Sequence, residues 1–181
     1  MIRKSTFLGL AFLVIISFAC ETPNPFGPVY DVEGNLARDR ALIDQYLETA
    51  PIDSLYRIHD ANGVIIIVQK DGTGAFPVDR NLVYMNYTGM LLDGTVFDTN
   101  QQDVAIANNI FDENRTYRIF DFTIGQRDAI EGFSIAFRRM RSGTKAVIII
   151  PSPWAYRDNE NLERIPPNSI LKFEVDFLGM D

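Results

Sequence analysis

The alternation of apolar and polar residues predicts strands over most of the chain after residue 60. In residues 171–177, every second side chain is apolar and the three between them are Lys172, Glu174 and Asp176. This period of two is typical of a strand with one buried face. Residues 82–88 and 117–124 alternate in the same way. Residues 145–150 are continuously apolar after the first position, which indicates a central strand or one covered on both faces.

One segment within this strand-rich region has the period of an α-helix instead. Between residues 124 and 140, apolar side chains recur at steps of three and four, which places them on one helical face. Gly125 precedes the periodic positions, and Gly143 follows them, where helices often end at a residue with positive φ. One short helix among five or six antiparallel strands predicts an α+β fold. We expect a curved, half-barrel sheet to wrap around that helix.

The segment before the first strand predicts a further helix, over residues 35–50. Its apolar residues form a stripe, Asn35 is a candidate cap and Pro51 follows the end. This N-terminal extension either packs against the main domain or stands off it. Residues 56–59 and 64–68 then predict a β-hairpin, because Asn62-Gly63 between two apolar stretches is a strong turn signal.

The first nineteen residues have the pattern of a secretory signal. Arg3 and Lys4 precede an apolar run, residues 7–18, that is shorter than the ~20 residues needed to span a bilayer. We therefore predict three parts, namely a signal peptide at 1–19, a tether and helix at 20–52, and a globular domain at 53–181.

The end of this run, Ser17-Phe18-Ala19-Cys20, resembles a bacterial lipobox, although Ser17 stands where leucine is usual. The resemblance implies that Cys20 is lipidated and becomes the mature N-terminus. An ordinary cleavage site near Ala19 and an uncleaved anchor are the two alternatives. Lipidation predicts an exported protein that is anchored to a membrane of a gram-negative bacterium. The expected location is the outer membrane, with the protein facing the periplasm.

Composition argues against several classes of function. The 181 residues carry a formal charge of −7 and have no basic stripe, which argues against nucleic acid as a partner. A single histidine and a single cysteine argue against a zinc site built from those residues, and they leave no intramolecular disulfide. The aromatic residues of the strand-rich region, with Asp98 and Tyr156 as a polar minority, instead suit an apolar concavity with a few polar groups, which is the usual form of a small-ligand site. A turn or capping role for the Asp98 carboxylate is the alternative of about equal weight.

Between residues 81 and 178 the chain contains a series of short motifs: Tyr87-Thr88-Gly89-Met90-Leu91, Asp93-Gly94, Phe97-Asp98, Phe122-Thr123-Ile124-Gly125, Ile130-Glu131-Gly132, Met140-Arg141-Ser142-Gly143, Pro151, Ala155-Tyr156, Ile165-Pro166-Pro167-Asn168-Ser169 and Leu171-Lys172-Phe173-Glu174-Val175. In this order they resemble the motifs of the FKBP-type peptidyl-prolyl isomerases. Each motif is weak alone, and their common order makes the match specific. The N-terminal features also resemble those of lipid-anchored members, including gliding-motility-associated lipoproteins.

The resemblance implies an enzyme that accelerates rotation about X–Pro bonds in exported proteins. It assigns catalytic roles to Tyr87, Asp98, Ile130 and Tyr156. The Ile130 N–H and the Tyr156 hydroxyl would bind ligand carbonyls, and Asp98 would offer a carboxylate. The implied substrate-binding residues are Phe97, Phe120, Ala129, Phe133, Ile165 and Phe173, with Phe133 as the pocket floor.

The implied reaction needs no cofactor or metal, because twisting an amide requires no nucleophile. The expected partners are proline-containing segments of exported proteins and, through the lipid on Cys20, a membrane. Macrolides are the further ligand class that the resemblance suggests. Two other functions stay open: a weakly active or inactive binding module in a membrane-associated assembly, and a chaperone that uses the 35–50 helix as a dimerisation or client-holding arm.

Several residues depart from the family pattern near the implied pocket. Phe133 replaces the usual tryptophan, and Trp154 stands where tyrosine or leucine is common. Arg157 replaces the glycine that usually follows the tyrosine, and a charged stretch follows it. The segment between residues 98 and 120 is long, and residues 101–111 predict a short extra helix with Val104, Ala105, Ala107 and Ile110 on its apolar side. These changes bear mainly on peptide and macrolide specificity.

Overall fold

A seven-stranded antiparallel sheet organises residues 29–181, the part of the chain that the computed structural model describes. Its strands are β1 (Tyr56–His59), β2 (Ile65–Lys70), β3 (Leu82–Leu91), β4 (Val96–Thr99), β5 (Phe120–Thr123), β6 (Lys145–Ile150) and β7 (Leu171–Met180). Their spatial order is β1-β2-β6-β7-β3-β4, and β5 also pairs with β3. The predicted signal peptide, Cys20 and the tether up to residue 28 lie outside the described residues.

The number and length of the strands differ from the expectation of five or six. β4 pairs with β3 at residues 88–90, and β5 pairs with the same edge at residues 82–85. Because the two short strands share one edge, β5 covers only four of the eight residues predicted at 117–124. The predicted hairpin is confirmed, with Tyr56 opposite Val68 and Gly63 at φ 83° in its turn.

The helix packed inside the sheet is shorter than predicted. α3 spans Glu131–Phe137 rather than residues 124–140, because Ile130 has extended backbone with ψ 143°. Gly125 turns the chain at φ 80°, and its N–H donates to Ser134 Oγ at 2.9 Å. After Phe137 the chain tightens into turns, in which the Met140 N–H donates to the Phe137 carbonyl. The seven residues 124–130 are therefore loop, and this loop lies at the candidate site.

The apolar residues of the sheet form two layers, one on each face. The inner layer includes Phe122, Phe173 and Phe177 and packs against Phe133 and Phe137 of α3. The outer layer is covered by α1 (Val32–Thr49), whose Ile43 packs with Ile65, Ile67, Val147, Ile149 and Ile170. The prediction that residues 145–150 form a strand that is central or covered on both faces is confirmed, because β6 lies between β2 and β7 and contributes to both layers.

The two remaining predicted helices have different ends from those expected. α1 begins one residue after Asp31, whose carboxylate accepts the Gly34 N–H at 2.8 Å, so Asp31 and not Asn35 is the cap. The insert helix α2 spans Gln102–Ala107 rather than residues 101–111. On α2, Ala105 is buried, whereas Ala107 is exposed and does not belong to the apolar side. Among residues 29–181, no helix has the length and apolar character needed to cross a membrane.

Replacing Gly132 by alanine should destabilise the protein. A Cβ at this buried position on α3 would clash with the side chain of Ile150 on β6. We expect a loss of about 1–3 kcal/mol in the free energy of unfolding, although alanine favours helix formation over glycine by about 1 kcal/mol. Gly179→Ala is the control, because its Cβ would meet no atom within 4 Å and should change stability by less than about 0.5 kcal/mol. Urea denaturation of both variants measures the difference, and equal stabilities would contradict the close packing.

Candidate functional site

An aromatic cluster lies between α3 and the sheet, with Phe133 at its centre. The Phe133 ring centroid lies 4.8 Å from that of Phe173 and 6.4 Å from those of Tyr87 and Phe120, all in edge-on orientations. Phe97 packs edge-on against Phe173 at 5.6 Å. Edge-to-face packing is favourable between aromatic rings, so the cluster forms a firm apolar base for the polar groups around it.

Two polar residues enter this cluster from neighbouring strands. Tyr87 on β3 donates its hydroxyl hydrogen to Asp98 Oδ2 on β4 at 2.6 Å. Gly89 lies opposite Asp98 in the register. A Cβ on Gly89 would lie 2.7 Å from both Phe97 and Phe173. The glycine therefore lets the rings of Phe97 on β4 and Phe173 on β7 meet over β3. The Asp98 carboxylate then lies at the edge of the cluster.

Arg115 completes this polar group from the loop that follows α2. Its guanidinium forms an ion pair with Asp98 Oδ1 and donates to the Tyr87 hydroxyl at 3.2 Å. The guanidinium also lies over the Tyr117 ring, at 5.4 Å from the centroid. With both oxygens bonded, the Asp98 carboxylate has a fixed orientation, which a lone surface carboxylate would lack.

The electrostatics of the cluster keep its phenols protonated. Burial raises the pKa of Tyr87 far above its ordinary value of 10, and the nearby Asp98 charge raises it further. Partial burial also raises the pKa of Tyr156, with a second contribution from Asp98. Both hydroxyls are therefore hydrogen-bond donors at neutral pH, and neither is a nucleophile or a base.

Tyr156 separates two cavities at the surface above the cluster. The smaller cavity, of about 250 Å³, is lined by Phe97, Asp98, Tyr156, Leu162, Glu163, Arg164 and Ile165. The larger, of about 800 Å³, runs along the loop before α3 and includes Ala129, Ile130 and Tyr156. Within residues 29–181, no protein group accepts a hydrogen bond from the Ile130 N–H, so this donor is available at the cavity wall.

The predicted catalytic and substrate-binding residues all lie in or next to this region, but at different depths. Phe97, Asp98, Ala129, Ile130, Tyr156 and Ile165 line the two cavities. Tyr87, Phe133 and Phe173 are buried beneath them, and Phe120 is half-buried beside Tyr87. Phe133 is not among the residues that line either cavity, so its role as a pocket floor stays a prediction. Cys20 lies outside the described residues.

Comparison with known proteins supports the assignment suggested by this geometry. The family model for FKBP-type peptidyl-prolyl cis-trans isomerases matches residues 74–178, which is more than half of the chain.

The chain belongs to the FKBP family.

Relatives of this FKBP protein differ widely in length. It is 32% identical over 123 residues to the human peptidyl-prolyl cis-trans isomerase FKBP4, a match that covers 66% of this chain and 24% of that protein. It is 31% identical over 120 residues to Drosophila melanogaster Fkbp12, covering 66% of this chain and 99% of that protein. The match therefore spans about a quarter of the FKBP4 relative and nearly all of Fkbp12.

Solved structures show the same fold. A peptidyl-prolyl cis-trans isomerase from Pseudomonas syringae aligns with a TM-score of 0.61 at 23% identity, covering 86% of this chain and 99% of that one. FkpA from Escherichia coli aligns with a TM-score of 0.59 at 24% identity, covering 83% and 62%. The antiparallel sheet packed around a short helix, predicted from the sequence pattern, is thus the FKBP fold.

Arg115 is the residue of this FKBP site that sequence analysis did not identify. It lies in the long insert between β4 and β5, where no motif marks a fixed spacing from Asp98. The only signal in the sequence was the positive charge of Arg115, which lies shortly before β5 and could pair with the Asp98 carboxylate on β4. Within residues 29–181, no group of three or more His, Cys, Asp or Glu side chains is arranged to hold a metal ion.

Arg157, which stands where the family usually has glycine, adopts a backbone conformation that favours glycine. Arg157 has φ 56°, in the left-handed region that glycine adopts without strain. Its Nε donates to the Pro153 carbonyl at 3.2 Å, and its guanidinium lies 5.6 Å from the Tyr30 ring centroid. The loop therefore turns directly after Tyr156 at a residue that carries a positive charge.

The raised pKa of Tyr87 predicts a loss of stability at alkaline pH. Because the pKa is higher in the folded than in the unfolded state, Tyr87 contributes stability below about pH 10 that is lost as the pH rises further. One such proton contributes a slope of up to about 1.4 kcal/mol per pH unit. Tyr87→Phe should therefore flatten the decline in unfolding free energy between pH 10 and 11, measured by urea denaturation. Equal slopes in the two proteins would contradict this assignment.

Proposed function

We propose that this protein is a peptidyl-prolyl cis-trans isomerase that acts on exported proteins at a membrane. The observation that carries the proposal is the Tyr87–Asp98–Arg115 group, which fixes a carboxylate beside Tyr156 at the edge of a buried aromatic cluster. The cavities place hydrogen-bond donors and an acceptor next to apolar walls. Such a site suits a proline ring flanked by peptide carbonyls.

The site can accelerate rotation without forming a covalent bond. The rotation barrier of a peptide bond, roughly 18–20 kcal/mol, comes from amide resonance, which is lost when the bond twists. The twisted amide has a smaller dipole than the planar one, so transfer out of water costs it less. An apolar cavity beside Phe97 and Ile165 therefore favours the transition state over the ground state.

Fixed polar groups add selectivity to this effect. The Ile130 N–H and the Tyr156 hydroxyl can hold carbonyls on either side of the rotating bond, while the Asp98 carboxylate is kept in place by Tyr87 and Arg115. Groups that are already oriented need no reorganisation as the amide twists. Each ~1.4 kcal/mol of stabilisation specific to the twisted state increases the rate about tenfold.

The alternative of a chaperone arm is less well supported by the position of α1. A client-holding or dimerising arm needs an available apolar face, whereas Ile43 is buried against the sheet of the same chain. A binding module that uses the same cavities differs from an isomerase only in catalysis. Measurements of rate and of peptide binding on one sample therefore distinguish the two functions.

Isomerase activity is expected to depend on Asp98. In a protease-coupled proline-peptide assay, the purified protein should accelerate isomerisation, and Asp98→Ala should lower kcat/KM by about tenfold or more, equivalent to ~1.4 kcal/mol. Glu48→Gln, at an exposed position on α1, should leave the rate unchanged. No acceleration at micromolar concentration, with a native circular dichroism spectrum, would refute the enzyme. Retained binding of the proline peptide would then favour a binding module.

The location that we propose depends on Cys20. Lipidation of this cysteine would hold the protein on a membrane, and Cys20→Ala should move it from the membrane pellet to the soluble fraction. Labelling of the wild-type protein with a fatty acid analogue, absent from Cys20→Ala, would identify the modification. A fractionation pattern that is the same for both proteins would contradict the anchor without affecting the isomerase assay.

A further inference from the structure

The loop that carries Tyr156 and Ile165 has little regular structure of its own. It runs over residues 151–168 between β6 and β7, and its one helical turn is the 3-10 helix Ser152–Trp154. Because Tyr156 lines both cavities, the position of this loop sets the shape of the proposed site. Contacts from other elements of the fold are therefore needed to fix the position of the loop.

A fully buried carboxylate on α1 contacts the start of this loop. Asp39 is 0% exposed, and its Oδ2 accepts a hydrogen bond from the Ser152 N–H at 2.7 Å. Its other oxygen accepts from Arg38 Nε at 2.9 Å and Nη2 at 2.5 Å. A buried charge is costly unless it is paired, and apolar packing by Ile43 already fixes α1 to the sheet. The carboxylate is thus better explained by its directional contact with the loop.

The same ion pair reaches the end of the loop. Arg38 Nη2 donates to the Asn168 carbonyl at 2.9 Å and approaches Ser152 Oγ at 3.3 Å. The Asn168 N–H in turn donates to the Arg157 carbonyl at 2.6 Å. The two ends of the loop and the residue after Tyr156 are therefore joined through one side-chain pair on α1.

The backbone at the base of the loop is strained, so it needs this support. Arg157 and Asn168 both adopt positive φ, at 56° and 58°. Non-glycine residues hold such conformations only where the surrounding contacts determine them. Without the contacts from Arg38 and Asp39, the loop would relax toward other conformations.

We propose that Arg38 and Asp39 are positioning residues for the 151–168 loop, so that the N-terminal helix α1 sets the geometry of Tyr156 and Ile165. The catalytic consequence rests on the proposed isomerase function, whereas the structural consequence does not. Helix α1 lies outside the region matched by the family model. In this protein, α1 would then contribute to the geometry of the site although it lies outside the family domain.

The only tryptophan of the chain, Trp154, reports on this loop directly. It is half-buried, and its indole N–H donates to the Asn62 carbonyl at 2.8 Å. Asp39→Ala should release the loop, so acrylamide quenching of Trp154 and hydrogen exchange of the loop amides should both increase at least about threefold. A displacement of a catalytic group by about 1 Å can lower a rate by up to ~100-fold. Because the released loop carries Tyr156, we expect kcat/KM to fall about tenfold.

Matched variants separate positioning from a general loss of stability. Ile43→Val weakens the packing of α1 on the sheet but leaves Arg38 and Asp39 in place, so it should change stability without changing quenching or loop exchange. Asp39→Asn keeps an acceptor for Ser152, and Arg38→Lys keeps the charge but not the reach to Asn168. Both should give intermediate quenching, and they remain informative if Asp39→Ala does not fold.

The outcomes decide the proposal independently of the enzyme assay. If the Asp39 and Arg38 variants match Ile43→Val in quenching and exchange at equal stability, the positioning role is overturned. If the parent protein has no isomerase activity, the proposed function fails, and the fluorescence and exchange measurements still decide whether the pair positions the loop. Looser loops in the Asp39 and Arg38 variants, with unchanged loops in Ile43→Val, would support it.

Discussion

Gly132 allows α3 to approach β6 at Ile150, and the position of the helix follows from this contact. Ile130, two residues earlier, then lies at the wall of the larger cavity, and Phe133, one residue later, lies in the aromatic cluster. Strand β6 also receives α1 on its opposite face. One strand is thus the common reference for the inner helix, the outer helix and the loop that leaves its end.

The parts of the fold that depend on local pattern were predictable from the sequence. Alternation in β7 predicted a strand with one buried face, and the continuous apolar run of β6 predicted a strand that is central or covered on both faces. Both were predictable because burial on one or both faces leaves its period in the sequence. The ends of α3 were not predictable in the same way. Apolar periodicity continues through residues 124–130, but the backbone there follows the turn at Gly125 and the contact with Ser134.

The site shows the same division between local and distant causes. The motif residues Tyr87, Asp98 and Tyr156 were expected to share one site. In the structure Asp98 and Tyr156 line the cavities, and Tyr87 is buried beneath them and bonded to Asp98. Arg115 and Asp39 belong to no sequence motif, because each contacts a partner that is distant in sequence. Arg115 pairs with Asp98, and Asp39 accepts a hydrogen bond from Ser152. Pairs of this kind become visible only when the chain is folded, because the length of the intervening insert or loop is not fixed by the chemistry.

The place of β7 in the sheet has a consequence for how the chain folds. β7 lies between β6 and β3, so it joins the β1-β2-β6 half to the half made of β3, β4 and β5. Until this strand is present, each half has an unpaired edge, and such edges are prone to non-native association. The pairings of β3 with β7 also link distant parts of the sequence, which slows folding. A nascent chain therefore exposes unpaired strand edges until β7 has emerged, even though its earlier segments have strong local preferences.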